Sequence, residues 1–173
     1  MRKDSELYKK LKRENVEKVG TTSDLHCLDL SSTDLHGAQL ANVNLSMATL
    51  QGSNLHGANL REAMMYGVNL VGATVFGAGL RGADLRNTDL WGTDFHSADL
   101  AGVNFKGAHL GGTSFRNTNL QGANFENVDL ADSDFQGADL KGANFKGANY
   151  TYSNLSDTNL LEAVLEHGGV YDD

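Results

Sequence analysis

Three histidines, His36, His56 and His96, stand 20 and 40 residues apart, and four aspartates, Asp84, Asp89, Asp94 and Asp99, occupy successive fifth positions. Regularly spaced imidazoles can ligate a metal, and neighbouring carboxylates can do general acid–base work. Neither chemistry is completed here. Two imidazoles stacked on an open surface supply half of the four ligands that a structural zinc wants. The aspartates arrive one per repeat, on successive corners that point outward and apart, so no cleft with paired acids is implied. The chain has no P-loop, no Gly-x-Ser-x-Gly and no His-Glu-x-x-His. Cys27, the single cysteine, sits beside His26, reads as a surface thiol and excludes an internal disulfide. We expect no catalytic, cofactor-binding or metal-binding residue, and no enzyme activity.

The spacing itself carries the information. From Leu25 to Leu165 every fifth residue is large and apolar: 29 positions, with 20 Leu, 6 Phe, Met65, Val75 and Tyr150. Two residues before each stands Ala, Ser, Thr or Val, with Leu28 the exception. Between them lies mostly Asp or Asn, and two residues after comes Gly at 15 of the positions and Asn at four more. On a helix such a repeat would advance about 500° and smear its apolar residues around the cylinder. On a flat strand the odd spacing would send alternate repeats to opposite faces. The pattern works if the chain turns by about 90° per unit, so that a coil closes in 20 residues and every large residue points at one axis. Gly and Asn after it suit a corner that needs positive φ.

The unit Ala-Asp-Leu-x-Gly, as in Ala83-Asp84-Leu85 and Gly137-Ala138-Asp139-Leu140, closely resembles the pentapeptide-repeat family over about residues 22–166. The resemblance implies an all-β fold, a right-handed quadrilateral β-helix with four pentapeptides per coil. That stretch would make about seven coils and a rod roughly 35 Å long at the usual strand spacing. Twenty-residue columns predict that Phe95, Phe115 and Phe135 stack on one wall, and that Phe105, Phe125 and Phe145 stack on the opposite one.

At 173 residues and a net charge of −8 the chain reads as one repeat domain with short ends. Residues 1–20 carry +3, residues 21–161 carry −7 and the last 12 carry −4. There is no apolar run long enough for a membrane span and no secretory leader in view, so a cytoplasmic protein is expected. Zero proline suits a continuous ladder that uses every backbone N–H.

Both ends of such a stack need covering. Residues 1–20 are expected to provide an amphipathic capping helix, with Leu7, Tyr8, Leu11 and Val19 on the first coil and a basic cluster at Lys9, Lys10, Lys12 and Arg13. Leu160, Leu161, Val164 and Leu165 fit a last repeat and a short helical stripe equally well. The tail, 167–173, holds Val170 and Tyr171 among acids, and family members that dimerise through this end suggest a monomer or a C-terminal homodimer.

Two surface features depart from the pattern. Between 61 and 91, Met64 and Gly79 take Asp/Asn positions, and Tyr66, Val71, Phe76 and Trp91 fill outward slots. Exposed apolar residues on a solenoid wall mark a contact, so Met64, Tyr66, Val71, Phe76 and Trp91 form a candidate protein-binding surface. Over 118–140 the chain carries Glu126, Asp129, Asp132, Asp134 and Asp139 with no basic residue. Quinolone-resistance members of the family resemble B-form DNA and act on DNA gyrase, which makes this stretch a candidate acidic DNA mimic. Lys106, Arg116, Lys141 and Lys146 interrupt that charge, and Asn fills many slots where a mimic would want Asp. The reading that follows is a non-enzymatic scaffold or rigid protein-binding surface, with a DNA-mimicking modulator of gyrase or topoisomerase as the alternative. Direct nucleic-acid or membrane binding is not expected.

Overall fold

A chain that bends at every fifth residue must place at each bend a residue that tolerates positive φ. In the computed structural model, which describes residues 24–165, every position two after a large apolar residue, from Cys27 to Glu162, has φ between 52° and 75°. The following N–H closes the turn onto the carbonyl of the large residue, as from Ala73 to Leu70 at 2.8 Å and from Ala38 to Leu35 at 3.0 Å.

Most of the other backbone groups pair between coils. The N–H of Leu50 donates to Asn69 O at 2.7 Å, that of Gly57 to Phe76 O at 2.8 Å, and that of Asn54 to Thr33 O at 3.0 Å. Parallel bridges join each outward residue to the one 20 positions on, from Asp24 with Asn44 to Asn144 with Val164. Each rung is one residue long, and the described residues contain no extended strand. Four turns and four rungs complete a coil of 20, so the molecule is a four-walled repeat solenoid.

Wall 1 is lined inside by Leu25, Leu45, Met65, Leu85, Phe105, Phe125 and Phe145, and wall 2 by Leu30 through Tyr150 in steps of 20. Wall 3 holds Leu35, Leu55, Val75, Phe95, Phe115, Phe135 and Leu155, and wall 4 holds Leu40 through Leu160. From Leu25 to Tyr150 all of these are buried, as are the small residues two positions earlier from Thr33 to Ala148. Where that small residue is Ser or Thr, several hydroxyls donate to a carbonyl of the preceding coil: Thr93 to Leu70 at 2.9 Å, Thr118 to Phe95 at 2.8 Å and Ser133 to Leu110 at 2.9 Å. Thr88 instead bonds Leu85 O in its own turn at 2.6 Å, and the buried hydroxyls of Thr33 and Ser53 have no partner among the described residues. A buried hydroxyl costs least where it is satisfied.

The phenylalanine columns form as the 20-residue arithmetic predicts. Phe105, Phe125 and Phe145 stack at 4.9 Å between centroids, and Phe115 and Phe135 stack at the same spacing on wall 3. Across the axis the two columns meet edge-on at 5.9 Å, at 77° for Phe115 and Phe125.

At the C-terminal side the repeat continues through Leu165, with Val164 bridged to Asn144, so Leu160–Leu165 is a repeat and not a helical stripe. The capping helix expected over 1–20 and the tail 167–173 lie outside the described residues. No helix among the described residues is long and apolar enough to cross a membrane.

Candidate interaction surface

One backbone N–H per pentapeptide, that of the residue after the large apolar one, has no carbonyl to reach. Where the residue two positions earlier is Asp or Asn, it donates instead to that side chain: His96 to Asp94 at 2.9 Å, Val71 to Asn69 at 3.0 Å, Lys146 to Asn144 at 3.0 Å. This local Asx bond is why the repeat calls for Asp or Asn, and either serves because only an acceptor oxygen is used. Many of the Asn side chains have a second task, donating to the neighbour one coil back. Asn44 reaches Asp24 at 3.0 Å, Asn119 reaches Asp99 at 2.9 Å and Asn149 reaches Asp129 at 2.9 Å. In no bridge among the described residues does Asp stand on Asp.

The acidic residues singled out from the sequence therefore do not gather on one wall. Glu126 lies on wall 1, Asp129 and Asp132 on wall 2, Asp134 on wall 3 and Asp139 on wall 4. Asp134 is paired with Arg116 at 2.9 Å. Desolvation raises Asp139, but donors from Gln121, the Lys141 backbone and Asn159 outweigh it and hold the carboxyl below its ordinary value. On wall 1 Arg86 forks onto Asp84 with two 2.7 Å bonds, and that pairing is the main cause lowering the Asp84 carboxyl.

The apolar set divides among three walls. Met64 and Tyr66, 49% and 42% exposed, share wall 1, and the Arg86 guanidinium lies 6.0 Å from the Tyr66 ring centroid. Met47, 53% exposed, joins them with its sulfur against Gly67. Sequence reasoning missed Met47; its signal was a large side chain at a positive-φ position, φ 58°, where Gly is the rule. Met64 replaces the Asx acceptor at its corner, a departure the sequence did show.

Phe76 lies on wall 3 within a column of four rings on consecutive coils. His36 and His56 are 4.9 Å apart, His56 and Phe76 4.8 Å, Phe76 and His96 5.2 Å. Their 20-residue spacing makes the whole column legible in the sequence, where the histidines alone suggest a set. Among the described residues no group of three or more His, Cys, Asp or Glu is placed to hold a metal ion.

Val71 and Trp91 share wall 2. Trp91 is 64% exposed and borders a shallow groove of about 370 Å³ that also involves His109, Gly111, Asp129, Ala131 and Asp132. The groove offers an aromatic side, a glycine floor and two carboxylates. It contains no nucleophile–base pair.

The sequence pattern described as pentapeptide repeats matches in eight copies, over residues 38–75, 78–117, 108–147 and 138–167. No curated protein matches this sequence. Among solved structures, trypsin-treated QnrB1, described as a plasmid-mediated fluoroquinolone resistance protein, is similar at 21% identity over 84% of each chain, with a TM-score of 0.60. The pentapeptide repeat protein Rfr23 from the cyanobacterium Cyanothece 51142 is 21% identical over 88% of this chain and 92% of its own, with a TM-score of 0.36. HetL, a pentapeptide repeat protein from Nostoc sp. strain PCC 7120 involved in heterocyst differentiation regulation, is 28% identical over 86% and 85%, with a TM-score of 0.23.

Proposed function

This chain belongs to the pentapeptide-repeat family, and from that premise we propose that it is a non-enzymatic rod, a right-handed quadrilateral β-helix whose walls give a cytoplasmic partner protein a rigid surface to bind. The observation that carries the reading is the exposure of large apolar side chains, Met64, Tyr66 and Trp91 foremost, on walls whose other outward slots are mostly polar or glycine. A wall held by paired backbone groups loses little freedom on binding, which lowers the cost of association. Affinity capture from the source cell with wild type and with Phe76→Ser/Trp91→Ser tests it. A partner should be retained by wild type and lost by the variant, both melting alike; equal capture, or none, overturns the reading.

Exposed Leu161, Val164 and Leu165 on the last described coil support a homodimer through that end, which sedimentation would check.

The alternative, a DNA-mimicking modulator of gyrase, has one feature in its favour: residues 21–161 hold 14 acidic and seven basic groups. The likeness to QnrB1 is one of fold. Against the alternative stands the alternation of Asp with neutral residues in every column. A mimic acts through its summed field, so its effect must weaken with salt and with loss of carboxylates. We expect wild-type protein to leave gyrase supercoiling unchanged. Inhibition or drug protection that fades with salt and on converting Glu126, Asp129, Asp132, Asp134 and Asp139 to amides would reverse the order of the two readings.

A further inference from the structure

The four walls differ in how their charge is balanced. Walls 1, 3 and 4 each carry an arginine–aspartate pair: Arg86 with Asp84 at 2.7 Å, Arg116 with Asp134 at 2.9 Å and Arg81 with Asp99 at 3.8 Å. Wall 2 has no lysine or arginine at any outward or corner position from Asn69 to Tyr152, yet over that stretch it holds Asp89, Asp129 and Asp132. The same wall presents Trp91, the only tryptophan of the chain.

The indole lies beside Gly111, where an added Cβ would stand 3.6 Å from Trp91 Cδ1 and 3.7 Å from Ala131 O. Other coils put Gln51, Val71, Ala131 and Thr151 at the equivalent corner, so a side chain is sterically welcome in this column. Its absence at 111 leaves the groove open along one side of the indole. Asp129 and Asp132 border that opening. Asp129 spends one carboxylate oxygen, Oδ1, on the Ala131 N–H at 3.2 Å and the Asn149 amide at 2.9 Å. None of the ion pairs above reaches either residue.

We propose that the wall 2 groove receives an arginine side chain from a basic segment of the partner, its guanidinium flat on Trp91 and hydrogen-bonded by Asp129 and Asp132. The chemistry selects arginine: a planar, weakly hydrated cation stacks on an indole face and forks onto carboxylates, whereas an ammonium does neither well. Along this stretch an anionic segment would meet the carboxylates of Asp89, Asp129 and Asp132 and no lysine or arginine. The proposal rests on the protein-binding reading and names the partner's chemistry. It differs from DNA mimicry, because it depends on one aromatic–carboxylate groove and not on the charge of the whole rod.

Trp91 reports on its own occupancy, since no other indole contributes to the emission. A hexa-arginine peptide titrated into the full-length protein should change Trp91 fluorescence saturably. Asp129→Asn/Asp132→Asn should weaken binding at least tenfold, and Gly111→Gln, which fills the groove, should do likewise with an unchanged melting curve. Asp94→Asn/Asp139→Asn removes the same charge from walls 3 and 4 and should weaken binding less than twofold. Hexa-lysine should bind several-fold more weakly than hexa-arginine. No fluorescence change, equal loss in the two aspartate double variants, or equal affinity for the two peptides overturns the proposal. Affinity capture keeps the parent reading separate: partner capture that depends on Trp91 without hexa-arginine binding removes only the arginine, while peptide binding without any captured partner removes the parent reading.

Discussion

Asn119 donates its side-chain amide to Asp99 Oδ1 at 2.9 Å, and its own Oδ1 accepts the Gln121 N–H at 3.2 Å, so one residue both turns the corner and ties two coils. Asp139 stands one coil further along the same column. Replacing Asn119 with Asp would line up three carboxylates at the coil spacing and remove a donor. The expected loss is about 0.5–1 kcal/mol, smaller at high salt, as for like charges directly opposed on a sheet. Asp99→Asn keeps the acceptor and should cost less than about 0.5 kcal/mol. Urea melts at two salt concentrations separate the two outcomes.

Phe115 contacts four other rings: Phe95 and Phe135 along its wall, Phe105 and Phe125 across the axis. Phe115→Ala should cost about 3–5 kcal/mol, because transfer and cavity terms add where coils above and below prevent collapse. Gln136→Ala, outward on the same wall, should stay within about 0.5 kcal/mol. Comparable losses at the two sites in a denaturant melt would contradict the buried and outward assignments.

The corners allow a paired test of backbone strain. Ser97 holds φ 58° with a side chain, so Ser97→Gly should gain up to about 1 kcal/mol. Gly107 has φ 74°, and a Cβ there would fall on the Asn87 side-chain oxygen. Gly107→Ala should lose about 1–3 kcal/mol. Thermal melts in which both substitutions are neutral would show that the corners relax freely.

The period of five, the coil of 20 and the stacking of Phe95, Phe115 and Phe135 were legible because they are properties of spacing, which survives without coordinates. The positive φ at Gly and Asn corners was legible for the same reason. What Asp94 or Asn69 does for its neighbour's N–H was not, since that donor is orphaned only once the turn geometry is known. The surface was harder. Trp91 and Val71 could be assigned to one wall by counting, but the open side of the indole depends on Gly111, which reads as one more glycine until the two coils are stacked. Phe76 shares a column with His56 and His96, but residue chemistry alone separates an apolar ring from two imidazoles, and only the stacking joins them. The division of Glu126, Asp129, Asp132, Asp134 and Asp139 among four walls follows from the same counting, whereas their closeness in sequence suggests a single patch.

Because every unit of five residues meets the same inward demands, the rod has a built-in way of being reset. An insertion or deletion of one pentapeptide would keep each following large residue pointing inward while turning everything beyond it by a quarter of a revolution. A groove on one wall would reappear on the next, out of line with whatever lay before it. Four units together would restore the alignment and merely lengthen the rod. Length and azimuth are thus written in the same alphabet, and a lineage of such chains could dial the angle between two recognition surfaces in right-angle clicks without redesigning either.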